Sequence, residues 1–135
     1  MRLFVDANIS TRLVAAIREL EPVPPRREFC HHDEKFLRGT PDPEWLQSLG
    51  SEGGWVILTG DTRIRASPPN LAAWQEAGLT TVFYEEISSQ RIYKQAAVVL
   101  GSFDDVLIAI KQNDPGTAFL VTKNGRVKVL HPPHR

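Results

Sequence analysis

The sequence predicts one α/β domain with a mostly parallel central sheet and a C-terminal β-hairpin. Three observations lead there. Short apolar runs at residues 2–5, 55–59 and 80–84 read as buried strands, with helical apolar spacing between them. Asn124-Gly125 lies between the alternating segments Phe119/Val121 and Val127/Val129, the pattern of a tight hairpin over about residues 117–131. The 135 residues match the size of one domain and contain no repeat, low-complexity stretch or long linker, so residues 1–135 are read as a single unit.

Each element has a local cause. The run 2–5 ends in Asp6. Asn8 and Ser10 stand where they can cap a helix whose apolar positions Leu13, Ala16, Ile17 and Leu20 recur at helical spacing. Pro22, Pro24 and Pro25 stop it. Residues 27–32 read as a second strand with Phe29 inward. Pro43 suits the first position of a helix, which puts Asp42 at its N-cap and Gly50 at its end. Gly53-Gly54 turns the chain into Trp55–Thr59, the clearest buried strand, which closes in Gly60-Asp61. A helix near 69–77 stops at Gly78. Ser88 is read as opening a helix with Ile92, Ala96 and Val99, and Ser102-Phe103-Asp104-Asp105, in capping-box form, as opening a further one with Val106 and Ile110. Asp114-Pro115-Gly116 turns the chain into the hairpin.

Composition narrows the class. Hydrophobic content of 41% and charged content of 24% are those of a folded globular chain. No apolar run approaches the roughly 20 residues of a spanning helix, so no membrane association is expected. The single cysteine, Cys30, excludes an internal disulfide and suits a reducing compartment, and the start of the chain lacks signal-peptide character; the expected location is cytoplasmic. With 16 basic and 16 acidic side chains the net charge is zero, so any attraction for nucleic acid must come from local clusters.

The informative pattern is acidic. Asp6 follows the first strand, Asp61 follows the strongest strand, and Asp42 opens the helix leading into that strand. In a parallel α/β sheet, strand C-termini and the N-termini of neighbouring helices share one edge, where ligands bind. Three carboxylates gathered there repel one another unless a cation holds them. A hard divalent ion meets that need, because Mg²⁺ prefers oxygen ligands and is held by one or two carboxylates together with substrate phosphate. That combination points to phosphodiester chemistry.

Phe-Val-Asp-Ala-Asn-Ile-Ser at 4–10 resembles the opening of PIN-like domains, and the stretch from Asp42 through Val-Ile-Leu-Thr59-Gly60-Asp61 is similar to their later signature. The resemblance covers about the first two thirds of the chain and is nearest to short VapC-type toxins of bacterial toxin–antitoxin loci. It implies a three-layer α/β/α fold, a Mg²⁺- or Mn²⁺-dependent endoribonuclease acting as a type II toxin, and a cognate antitoxin partner. It assigns Asp6, Asp42 and Asp61 as catalytic and metal-binding, with Thr59 orienting a carboxylate or water. The additional acid of longer relatives has no match here, since a Pro-rich loop replaces its region; Asp33, Glu34 and Glu44 stand nearest as substitutes.

Each residue also has a plainer reading. Asp42 suits a cap, Asp61 a turn, and Asn8 a cap or a supporting group. Glu44 suits the helix dipole. Arg12, Arg63 and Arg65 are placed either to contact RNA phosphates or to be solvated surface charges. His31 and His32 are adjacent on an extended segment and are expected to be solvent-exposed, as are His131 and His134; Trp45, Trp55 and Trp74 are expected in the core. The last two helices or the hairpin are the expected surface for an antitoxin or for a second copy in a homodimer. Two other functions stay open: a non-catalytic PIN-like module with an incomplete acid set that binds RNA or protein, and, more distantly, a phosphoacceptor domain.

Overall fold

The apolar runs become strands because helices cover both faces of the sheet. The computed structural model describes residues 1–130. In chain order the elements are β1 (Arg2–Val5), α1 (Thr11–Leu20), β2 (Glu28–His31), α2 (His32–Lys35), α3 (Asp42–Glu52), β3 (Trp55–Thr59), α4 (Arg63–Ala66), α5 (Pro68–Ala77), β4 (Thr81–Tyr84), α6 (Ile92–Gln112), β5 (Ala118–Val121) and β6 (Val127–Leu130), with a 3-10 turn at Ile87–Ser89. One six-stranded sheet results, in the order β2-β1-β3-β4-β5-β6. All neighbours pair in parallel except β5 and β6, which form the antiparallel hairpin.

Strand alternation divides the core into two layers. Leu3, Val5, Val56, Leu58, Val82 and Tyr84 meet Leu13, Val14 and Ile17 of α1 and Val98, Val99 and Val106 of α6. Phe4, Trp55, Ile57 and Phe83 meet Trp45, Leu46 and Leu49 of α3 and Trp74 of α5. This is the expected three-layer α/β/α arrangement, and the three tryptophans are core residues, each no more than 5% exposed. Among the described residues no helix is long and apolar enough to cross a membrane.

Strand order locates the functional edge. From β1 the chain passes through α1 to β2 on one side, whereas β3 pairs on the other side of β1. A crevice opens where neighbouring strands leave in opposite directions, at the C-terminal ends of β1 and β3. Asp6 and Asp61 follow those two ends.

Several local expectations are corrected. Asp42 is the first residue of α3 and Pro41 is the N-cap, so Pro43 takes the second helical position and no side chain caps the helix. Gly50 lies within α3, where a Cβ would stand 2.9 Å from Ala77 Cα; it allows α3 and α5 to approach, and the helix ends instead at Gly53, whose φ is 72°. Ser102 opens no new helix. α6 is continuous, because buried Gln95, Val98, Val99, Ser102 and Val106 keep one helical stripe, and the Ser102 hydroxyl donates back to Val98 O at 2.6 Å. Ser88 lies in the 3-10 turn, with Arg91 as the N-cap of α6. The hairpin predicted over 117–131 has its strands at 118–121 and 127–130, while residue 131 and both His131 and His134 lie outside the described residues.

His31 and His32 are buried, at 2% and 3% exposure, where solvent exposure was expected. They do point to opposite faces, but this strand end is covered on both. His31 Nε2 lies 2.8 Å from Ile9 O, and its Nδ1 accepts from Asp33 N at 3.1 Å; these partners place the ring proton on Nε2. His32 packs against Phe4, Phe36 and Trp45 on the α3 face.

Candidate active site

Asp6 stands one residue beyond β1, and its N–H donates to Leu58 O, extending the pairing with β3. The alternation that sends Phe4 to the α3 face sends Asp6 there too, and likewise Thr59 after Ile57. Thr59 is fully buried between the acids. Its hydroxyl donates to Asp6 Oδ2 at 2.7 Å and accepts from Asp61 N at 3.0 Å, so one side chain ties both strand ends together. Ala7 N donates to the other Asp6 oxygen at 2.7 Å. Asn8 does not cap α1, since Ser10 does that; Asn8 Oδ1 accepts from Gly60 N at 3.0 Å and joins the two loops. Gly60 is required by space, because a Cβ there would collide with Ile87 Cγ2.

Asp42 approaches from α3. Its Oδ1 accepts from Trp45 Nε1 at 3.0 Å and its Oδ2 from Asn70 Nδ2 at 3.1 Å, which fixes the carboxylate. Asp61 is gripped by Arg63, whose backbone N and Nε both donate to Oδ1 at 2.9 Å while a terminal guanidinium nitrogen donates to Oδ2 at 2.9 Å. The Asp61 side chain is 8% exposed and that of Arg63 is 80% exposed.

The carboxylates perturb one another. Burial pushes the Asp6 pKa up and the charge of Asp61 adds to that rise, against hydrogen bonds from Thr59 and Ala7 and the nearby His32. Burial also raises Asp42; the Trp45 hydrogen bond opposes this, and the like charges of Asp61 and Asp6 reinforce it. Burial pushes Asp61 upward as well, but the hydrogen bonds and charge of Arg63 outweigh it, helped by a hydrogen bond with Asp42, and Asp61 ends below the ordinary carboxylate range. All three acids also raise the Arg63 pKa, Asp61 most strongly, so its guanidinium lies in their common field.

A profile described as a PIN like domain matches residues 1–86. The chain belongs to the PIN-like domain family. The match runs from β1 through β4, so it takes in Asp6, Asp42, Thr59 and Asp61 and leaves out α6 and the hairpin. Membership places the chain in a nuclease-type superfamily. Comparisons with curated proteins and with solved structures gave no match.

PIN-like membership raises the question of a metal. Among the described residues, no three or more His, Cys, Asp or Glu side chains are grouped so as to hold an ion by themselves. The donors are nevertheless hard oxygens, and the charges of Asp61, Asp42 and Asp6 all act on the Arg63 guanidinium. This set fits a hydrated ion held by one or two carboxylates, with substrate phosphate completing the shell, better than a closed protein cage.

The remaining residues fall into two groups. Glu44 is exposed on the first turn of α3, Arg12 is exposed on the first turn of α1, and Arg65 lies over the Phe83 ring at 5.5 Å. Asp33 and Glu34 engage His32 and Arg18. Sequence reasoning missed Trp45 and Asn70 as supports of Asp42, and His32 as a neighbour of Asp6. The register could have revealed His32: Val5 pairs with His31, so His32 follows β2 as Asp6 follows β1. Beside the acids lies an open cleft of about 710 Å³, lined by Thr40, Asp42, Arg63, Ser67 and Asn70 among others.

Proposed function

We propose that this PIN-like domain is a Mg²⁺- or Mn²⁺-dependent endoribonuclease and the toxin component of a type II toxin–antitoxin pair. The observation that carries the nuclease reading is the buried Asp6–Thr59–Asp61 bridge, with Asp42 coupled to both acids at the sheet's switch point. Asp6 and Asp61 would hold the ion, with Asp42 contributing directly or through water. An ion bound there supplies charge neutralisation at the scissile phosphate and acidifies water. Thr59 fixes the separation of the two strand-end acids, and Asn8 holds their loops in register. RNA would enter along the cleft lined by residues 39–43 and by Arg63, Ser67 and Asn70, with Arg12, Arg63 and Arg65 as phosphate contacts. The toxin role is inferred from the resemblance of the motifs at 4–10 and 42–61 to those of short PIN-like toxins. It carries a small antitoxin partner, or a second copy of the chain, as the expected occupant of the α6 and hairpin surface.

The test is cleavage of single-stranded RNA with Mg²⁺ by wild type and Asp6→Asn. Metal-dependent cutting by the wild type alone is expected, and equal cutting by both proteins overturns the reading. For the toxin role, expression should arrest growth and a co-expressed neighbouring gene should relieve the arrest. A second reading is favoured by the absence of a ready three-ligand group among the described residues: a module that binds RNA or protein without cutting. Calorimetric titration with Mg²⁺ separates the two, because the module has no saturable site.

A further inference from the structure

Asp61 and Arg63 form an unequal pair. The carboxylate is buried and cannot be left without a cation or strong donors, while the guanidinium is 80% exposed and is well hydrated when it leaves. The pair occupies both carboxylate oxygens, the same atoms that an ion would use. The Arg63 backbone N–H donates independently to Oδ1, and Asp61 N is anchored on Thr59, so Asp61 keeps its orientation without the guanidinium. Arg63 also lines the cleft beside Asp42 and Asn70. α4 is only four residues long.

From this geometry we propose that Arg63 is the resident counter-ion of the acidic edge, displaced from Asp61 when a divalent ion binds and thereby released to the phosphate-bearing strand in the cleft. This inference rests on the metal-dependent reading above and adds a specific coupling to it. The acid is never unpaired: it is held by the guanidinium before the ion arrives and by the ion afterwards. The metal-free protein thus withholds its phosphate-binding arginine, and ion binding and RNA capture favour each other. Arg63 is a positioning residue in this scheme, setting ion affinity through Asp61.

The test uses the full chain without RNA. Mn²⁺ is titrated by calorimetry into wild type and Arg63→Ala, and the Arg63 Nε–H signal of the wild type is followed by NMR as Mg²⁺ is added. Removing the positive charge that competes for the Asp61 oxygens should tighten Mn²⁺ binding on the order of tenfold. The Nε–H resonance should move from a hydrogen-bonded to a solvent-exposed position as Mg²⁺ saturates. Wild-type binding with unchanged or weaker affinity in Arg63→Ala overturns the inference and leaves the metal reading standing. A bonded Nε–H signal that persists at saturation does the same. If neither protein shows a saturable Mn²⁺ site, the metal reading falls and takes the inference with it.

Discussion

At the N-terminal end of the sheet the charges have well-defined partners. Arg2 donates to Gly53 O at 2.7 Å and lies over the Trp55 ring, while Arg27 Nε meets Glu21 at 2.9 Å. The second Glu21 oxygen accepts from the backbone N–H of Arg26 and of Arg27. At the opposite end Asp61 is paired with Arg63, which also feels the charges of Asp42 and Asp6, and two of these three carboxylates have raised pKa values. Both ends are polar and both have a cleft, of about 650 Å³ at the first and about 710 Å³ at the second. The difference lies in electrostatic balance. Matched charges serve folding, whereas an arrangement that would be more stable with fewer charges points to a ligand that completes it.

The contrast is broken most directly by neutralising an acid. Asp6→Asn should lower RNA cleavage by ~100-fold or more, given the sensitivity of metal sites to their ligands and supports. The same change should raise metal-free stability by about 1 kcal/mol, since it removes a buried charge repelled by Asp61. Cleavage assays and urea denaturation of one preparation check both. A variant that loses activity and stability together would mean that Asp6 is a structural residue.

The opposite end should behave inversely. Glu21→Ala removes the acceptor for Arg27 and for two backbone N–H groups, so stability should fall by about 1–3 kcal/mol with cleavage rate per folded molecule unchanged. Urea midpoints and rates normalised to folded protein give the comparison. A large loss of rate would mean that the two ends are not independent.

How much of this was open to sequence reasoning differs by element. β1 and β3 were legible because strands buried on both faces read as unbroken apolar runs, and Asp6 and Asp61 were legible because they come at the ends of those runs, with Asp42 marked by the start of the helix before β3. Side-chain partners across the fold were not. Nothing local shows that Trp45 and Asn70 would hold Asp42, or that Arg63 would turn back onto Asp61 and not face solvent. His32 was misread because adjacent residues on an extended segment point to opposite faces, which implies one exposed ring only when one face is open. Ser102 was misread because a capping box is a local signal, and in α6 the apolar stripe on either side overrides it.

Acidity should narrow the difference between wild type and Asp6→Asn. The raised Asp6 pKa means that the folded protein binds this proton more tightly than the unfolded chain. Its contribution to stability is therefore full below the ordinary aspartate value of 3.8 and is lost as pH rises through the higher folded value. The advantage of the Asn variant should be largest near neutrality and shrink as pH falls towards 3.8. Asp61 has the opposite sign: its lowered pKa gives stability that is lost only as pH falls through its folded value. Taking the difference between variants at each pH isolates Asp6 from Asp61. Urea midpoints that stay equally separated from neutral to acid pH would contradict the burial of an ionised Asp6.

The smallest expected effect asks whether every unsettled group at this edge has a function. Tyr84 ends β4 on the α1/α6 face, only 1% exposed, and among the described residues its hydroxyl is buried without a hydrogen-bond partner; burial alone raises its pKa. Asp6, Asp42 and Asp61 lie on the opposite face of the sheet. A phenol stranded in this way opposes folding, so Tyr84→Phe should leave cleavage and Mn²⁺ affinity unchanged and raise stability by up to about 1 kcal/mol. Thermal denaturation together with the cleavage assay measures both. A fall in stability would mean that the hydroxyl has a partner in solution. A fall in activity would mean that the working edge extends across β4, and that the division between the two faces of the sheet is less complete than the alternation of its residues implies.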